Sequence, residues 1–164
     1  MTRRSFFGRV IAMIAGFVAL GLSIPFLGYL TLPSFRKREE SWSEVGLLEQ
    51  LEVNQPKEFN VVRNLTDGWM TTKSVRAVWA FRKPNGGAVV YSPNCPHLGC
   101  GYRWDEEKKE FLCPCHGSVF DLNGTVLAGP APRPLDVLPS KVTGDRLFIT
   151  FMEFKAGTSR KEAI

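Results

Sequence analysis

The sequence predicts a mainly β, antiparallel head on a single N-terminal transmembrane helix, and three features point there. From Leu47 onward, short runs alternate apolar and polar residues: LLEQLEV, EFNVVRN, VRAVWAF, AVVYS, KEFLC, TVLAG and RLFITFMEF. A period of two is the pattern of half-buried strands. Between the runs stand Asn85-Gly86-Gly87, Asn123-Gly124 and Gly144-Asp145, residues that tolerate the positive φ of tight hairpins. Ahead of them all, Val10 to Leu32 is a 23-residue stretch with no charge.

That stretch makes about 34 Å of helix at about 1.5 Å per residue, enough to cross a bilayer. Pro25 removes one backbone hydrogen bond late in the span, so a bend or an early end is expected there. No small-x-small cleavage site follows, which predicts a retained anchor rather than a removed signal peptide. Residues 1–9 form a stub in which Thr2-Arg3-Arg4-Ser5-Phe6-Phe7 matches the twin-arginine export pattern, S/T-R-R-x-F with an apolar residue after it. Export by that route puts the N-terminus in the cytoplasm of a prokaryote and the head on the outer, periplasmic side of its plasma membrane. Arg36, Lys37 and Arg38, just past the outer end of the span, run against the positive-inside rule, and Glu39 and Glu40 offset them in part.

Residues 33–45 are polar and charged and read as a tether, leaving 46–164 as the head. Trp42, Trp69, Trp79 and Trp104 are expected to fill or cover its core. In Gly129-Pro130-Ala131-Pro132-Arg133-Pro134-Leu135 three prolines enforce a stiff extended loop. The C-terminal stretch Lys155–Ile164 is polar and expected to fray.

A net charge of +5 raises the question of nucleic acid, and its location answers it. Residues 1–38 hold six cations and no acid, whereas the rest of the chain has 15 basic and 16 acidic residues, a net −1. The basic balance belongs to the terminus, and no basic stripe interleaves with the aromatics of the head. Nucleic-acid binding is therefore excluded as the chain's role.

All four cysteines and both histidines lie in two boxes, Cys95-Pro-His97-Leu-Gly-Cys100 and Cys113-Pro-Cys115-His116-Gly-Ser118. Thiolate sulfur and imidazole nitrogen suit zinc or iron. One Cys and one His from each box would complete a tetrahedral zinc site with two thiols to spare. The alternative is a 2Fe-2S cluster in which two His replace two Cys on one iron, raising its potential.

The boxes closely resemble those of the Rieske family, C-x-H-x-x-C followed by C-x-C-H-G-S. The resemblance implies a Rieske-type β-sandwich head whose cluster-binding part runs from about residue 92 to 135, holding one [2Fe-2S] cluster. It assigns Cys95 and Cys113 to the buried iron and His97 and His116 to the outer one. It pairs Cys100 with Cys115 in a disulfide, a feature of members that work at a quinol site, and an oxidising compartment suits that bond. Ser118 would donate a hydrogen bond to cluster sulfur, the proline loop would pack over the cluster, and the tether would act as a flexible neck. Leu98 would sit at an apolar tip docking on a cytochrome b-type membrane subunit, with the His97 and His116 imidazoles open to quinol.

One departure stands two residues after Ser118, where the respiratory pattern usually has a Tyr that bonds a cysteine sulfur and this chain has Phe120. Fewer hydrogen bonds to sulfur imply a lower potential, suited to menaquinol. The expected role is the electron-transfer subunit of a quinol:cytochrome c oxidoreductase, working with membrane lipid, cytochrome b, quinol and a c-type cytochrome. The alternative is the small Rieske subunit of another exported oxidase, such as arsenite oxidase. A ring-hydroxylating oxygenase is excluded, since no histidine remains for its mononuclear iron.

Overall fold

The computed structural model describes residues 2–35, 42–67 and 70–164, with backbone alone at 32–35 and 65–67. The chain forms two compact units, residues 1–39 and 40–164.

Among the described residues the first unit is one helix, α1 (Arg3–Phe35), longer at both ends than the charge-free stretch. It does not end at Pro25; Ser23 Oγ donates to Leu20 O (2.9 Å) and Thr31 Oγ1 to Leu27 O (2.8 Å), side-chain bonds common on helices in apolar surroundings. Ile11, Phe17, Leu20, Phe26 and Leu30 are exposed around the whole circumference. In water such a surface is costly, and in hydrocarbon it is matched to its solvent. Residues 36–41, which include the Arg36-Lys37-Arg38 cluster and the centre of the expected tether, lie outside the described residues, as does Trp69.

Among the described residues the head has ten strands: β1 (Trp42–Leu47), β2 (Lys57–Asp67), β3 (Met70–Arg82), β4 (Ala88–Tyr91), β5 (Arg103–Asp105), β6 (Glu110–Leu112), β7 (Val119–Phe120), β8 (Val126–Ala128), β9 (Ser140–Thr143) and β10 (Arg146–Thr150). They form three antiparallel sheets, ordered β1-β10-β9, β2-β3-β4 and β5-β6-β7-β8. The three turns read from Gly and Asn join β3 to β4, β7 to β8 and β9 to β10, with Gly86, Gly124 and Gly144 all at positive φ.

Alternation along β3 and β4 explains the layering. Val78, Ala80 and Val90 face one core with Val61, Leu138, Leu147 and Ile149. Phe81, Val89 and Tyr91 face the other, with Cys95, Tyr102, Phe111, Cys113 and Phe120. Successive side chains point to opposite faces, so the middle sheet is buried on both sides at the Val78–Phe81 end of β3 and along β4. The second core is the floor of the box region, closed by Trp79 and Trp104 at its margin.

Three expectations need correction. The last four residues of the tether, 42–45, are strand: β1 pairs with β10 through Trp42↔Thr150 to Leu47↔Arg146, and Glu44 forms an ion pair with Arg146 (3.0 Å). LLEQLEV is not a strand but a 3-10 turn at Leu48–Gln50, because Leu47 N–H donates to Gln50 Oε1 (3.2 Å) and Leu51 N–H to Leu48 O (3.2 Å). Lys155–Ile164 does not fray. Lys155 N–H donates to Glu162 O and Ile164 N–H to Glu153 O, both at 2.9 Å, folding the terminus back on itself.

Candidate metal centre

The boxes are two copies of one backbone device. In each, the first cysteine's N–H donates to the carbonyl five residues on, Cys95 to Cys100 O (2.7 Å) and Cys113 to Ser118 O (2.9 Å). In each, the glycine at the fifth place donates back to that cysteine's carbonyl, Gly99 to Cys95 O (2.9 Å) and Gly117 to Cys113 O (3.1 Å). Both glycines sit at positive φ, 78° and 72°, a conformation that other residues adopt only at a cost. The result is two tight loops, each with a cysteine at the root and a histidine at the crest.

Cys95 and Cys113 are buried and unbridged. Burial pushes the Cys95 thiol up to about 11; the His97 backbone N–H opposes the shift, the Cys113 thiol alongside adds to it, and the Ser118 hydroxyl lowers it in part. His97 is half-buried and His116 exposed, their rings edge to face with centroids 4.7 Å apart. Cys100 and Cys115 form a disulfide that ties loop to loop. Leu98, next to His97 in the chain, stands 62% exposed.

Two roots and two crests make two separated donor pairs. Among the described residues no three Cys, His, Asp or Glu side chains gather around a single ion-sized point; thiol stands by thiol and ring by ring instead. Two thiols below and two imidazoles above fit a two-iron group. The Ser118 hydroxyl strengthens the fit: it is 1% exposed, it acts on the Cys95 thiol, and no oxygen or nitrogen of the described residues accepts from it. A buried donor left open is costly unless a bound group accepts from it.

The surroundings hold these loops in place. In the proline loop Pro130, Pro132 and Pro134 face out while Ala131, Arg133 and Leu135 are buried. Its first residue, Gly129 (φ +92°), lies so close to box two that a Cβ there would stand 2.5 Å from Ser118 Cα and 2.6 Å from Gly117 O. Behind box one, Tyr102 Oη donates to Ser92 O (2.5 Å), and burial holds that phenol far above its ordinary value, so it remains a donor. Phe120 is fully buried against Tyr102, in the same core as both root cysteines.

Sequence reasoning missed the Arg133–Asp136 pair. Nε and Nη2 of Arg133 meet the two carboxylate oxygens of Asp136 at 3.0 and 2.7 Å, with both side chains about 5% exposed. An R-x-x-D spacing in a proline-rich stretch carries no signal of its own until burial is known.

The profile of the Rieske [2Fe-2S] domain matches residues 41–139. The menaquinol:cytochrome c reductase iron-sulfur subunit of Geobacillus thermodenitrificans is 29% identical over 154 residues, 91% of this chain and 90% of that one. The cytochrome b6-f complex iron-sulfur subunit of Synechococcus sp. (strain JA-3-3Ab) is 32% identical, covering 90% of this chain and 86% of its own. A chain of the solved hyperthermophilic respiratory Complex III is 25% identical with a TM-score of 0.45, over 84% of this chain and 98% of that one.

Proposed function

The chain belongs to the Rieske [2Fe-2S] family, and on that premise we propose that it is the electron-transfer iron-sulfur subunit of a membrane menaquinol:cytochrome c oxidoreductase. Membership brings one [2Fe-2S] cluster. Cys95 and Cys113 would hold its inner iron, and His97 and His116 its outer iron. When bound, the cluster supplies a one-electron acceptor whose potential imidazole ligation raises.

The protein's own groups do the rest. Cys95 and Cys113 sit at the floor, where burial keeps water from the sulfurs. Ser118 Oγ donates into the site, stabilising negative charge there. The Cys100–Cys115 bridge keeps the histidine crests side by side. With one nitrogen of each imidazole engaged, the other is free to accept the quinol's hydroxyl hydrogen bond and then its proton. Leu98, exposed and next to His97 in the chain, offers an apolar contact to the cytochrome b-type subunit that completes the quinol pocket. Phe120 offers no hydroxyl, which favours the lower-potential quinol.

The anchor fits this reading: α1 is long and apolar enough to cross a membrane. The twin-arginine-like start would carry the head, already folded and loaded, to the outer face, the side on which a disulfide persists. The observation that carries the proposal is the pairing of two buried free cysteines with two crest histidines on disulfide-linked loops. Detergent purification of the native assembly tests it. The expected result is co-purification with b- and c-type haem and menaquinol-dependent reduction of cytochrome c. A molybdenum-containing partner in place of haem b would overturn it in favour of an arsenite-oxidase-like assembly.

A further inference from the structure

The C-terminal turn rests on box one. Gly157 N–H donates to Pro96 O at 2.9 Å, and a Cβ on Gly157 would stand 3.5 Å from His97 O. Box one's internal hydrogen bonds secure Cys95, Gly99 and Cys100. Between them Pro96 has no N–H to give, and among the described hydrogen bonds its carbonyl is met by Gly157 alone. The peptide that leads into His97 is thus held from outside its own loop.

That outside support is itself fixed. Arg133 Nη1 donates to Thr158 O at 2.6 Å and reaches Thr158 Oγ1 at 3.3 Å, while its other nitrogens grip Asp136. Asp136 O accepts the N–H of Ser92 at 2.8 Å, three residues before Cys95. Lys161 Nζ donates to Val137 O (2.7 Å) and lies over the Phe154 ring, pinning the far side of the turn. Ser92, Asp136, Arg133, Thr158, Gly157 and Pro96 close a ring around the segment entering His97. A bidentate guanidinium held on both sides has little freedom to let the turn drift.

We propose that the C-terminal turn is a positioning element for His97, with Arg133 as the residue that seats it. The inference rests on the reading of His97 as a ligand of the outer iron. Box two receives no contact of this kind from the tail among the described hydrogen bonds, so the turn orients one imidazole and not the other. Loss of the turn should therefore alter the symmetry of the outer iron's ligand field while leaving the cluster bound.

The full-length chain in detergent tests this with two variants: a stop after Phe154, which leaves the Arg133–Asp136 pair whole, and Arg133→Lys, which keeps the charge but loses the fork. Thr158→Ser, which retains both acceptors, is the conservative control. The expected result is wild-type iron and sulfide content in all three. The first two should show displaced g values in electron paramagnetic resonance and a shifted midpoint potential, and the control should match wild type. Spectra and midpoints that superimpose on wild type in both variants overturn the inference alone. So does loss of iron accompanied by loss of the β-sheet circular dichroism signal, which would mark a purely structural tail. A wild-type chain without the imidazole-ligated signature would sink the site reading, and the inference with it.

Discussion

Box one and box two share a backbone device and differ in what holds them. Box two is fixed by contact: Gly129 closes on Gly117 and Ser118 so tightly that no side chain fits between. Box one is fixed by hydrogen bonds from elsewhere, through Gly157 to Pro96 and through Tyr102 to Ser92. The fifth residue after each root cysteine also differs, Cys100 spent on the bridge and Ser118 presenting a buried hydroxyl beside Cys95. Equivalent loops are thereby given unequal tasks. A steric support fails all at once, whereas a hydrogen-bonded one can be loosened by degrees.

Gly129→Ala should have the largest effect. It forces a Cβ into the Ser118 backbone at a φ of +92°, and strain with overpacking together cost about 2–5 kcal/mol. Thermal unfolding and iron analysis should report a lower Tm and lost cluster; wild-type behaviour would mean that box two is not held by this contact. Next comes Cys100→Ala with Cys115→Ala, which opens a link spanning 15 residues and should cost about 3 kcal/mol. Here the boxes lose their mutual register but keep their separate supports, so the cluster should survive at low temperature and be shed on mild heating. A cluster as heat-stable as wild type would show that the two supports need no bridge.

Smallest are the single hydroxyls. Ser118→Ala should lower the midpoint potential in protein-film voltammetry, and Phe120→Tyr should raise it, both with the cluster retained. Ser118→Ala at the wild-type midpoint would remove the distinction between the boxes' fifth residues. Phe120→Tyr at or below the wild-type midpoint would remove the argument for menaquinol.

Local spacing made the two boxes legible. Cys95, His97, Cys113 and His116 fall in two hexapeptide loops whose glycines mark the turn, so loop geometry and the order of the candidate ligands are written together. The hairpins at Gly86, Gly124 and Gly144 were legible for the same reason. Period-two patterning located β2, β3, β4 and β10, and the shorter β6 and β8. It missed β1, which charge made look like tether, β5 and β7, with three and two residues, and β9, whose four residues are all exposed and carry no alternation. The supports were illegible because each is a meeting of distant segments. Nothing near Gly157 announces Pro96, and Gly129 reads as the start of the proline loop until Ser118 is placed behind it.

The account depends on donor pairs sorted by kind, thiols beneath and imidazoles above, holding one bridged group. Metal and sulfide analysis of the native chain, with electron paramagnetic resonance of the reduced sample, tests that most directly. The predicted result is about two iron and about two acid-labile sulfide per chain with an average g value below that of an all-thiolate cluster. Zinc without inorganic sulfide would contradict it.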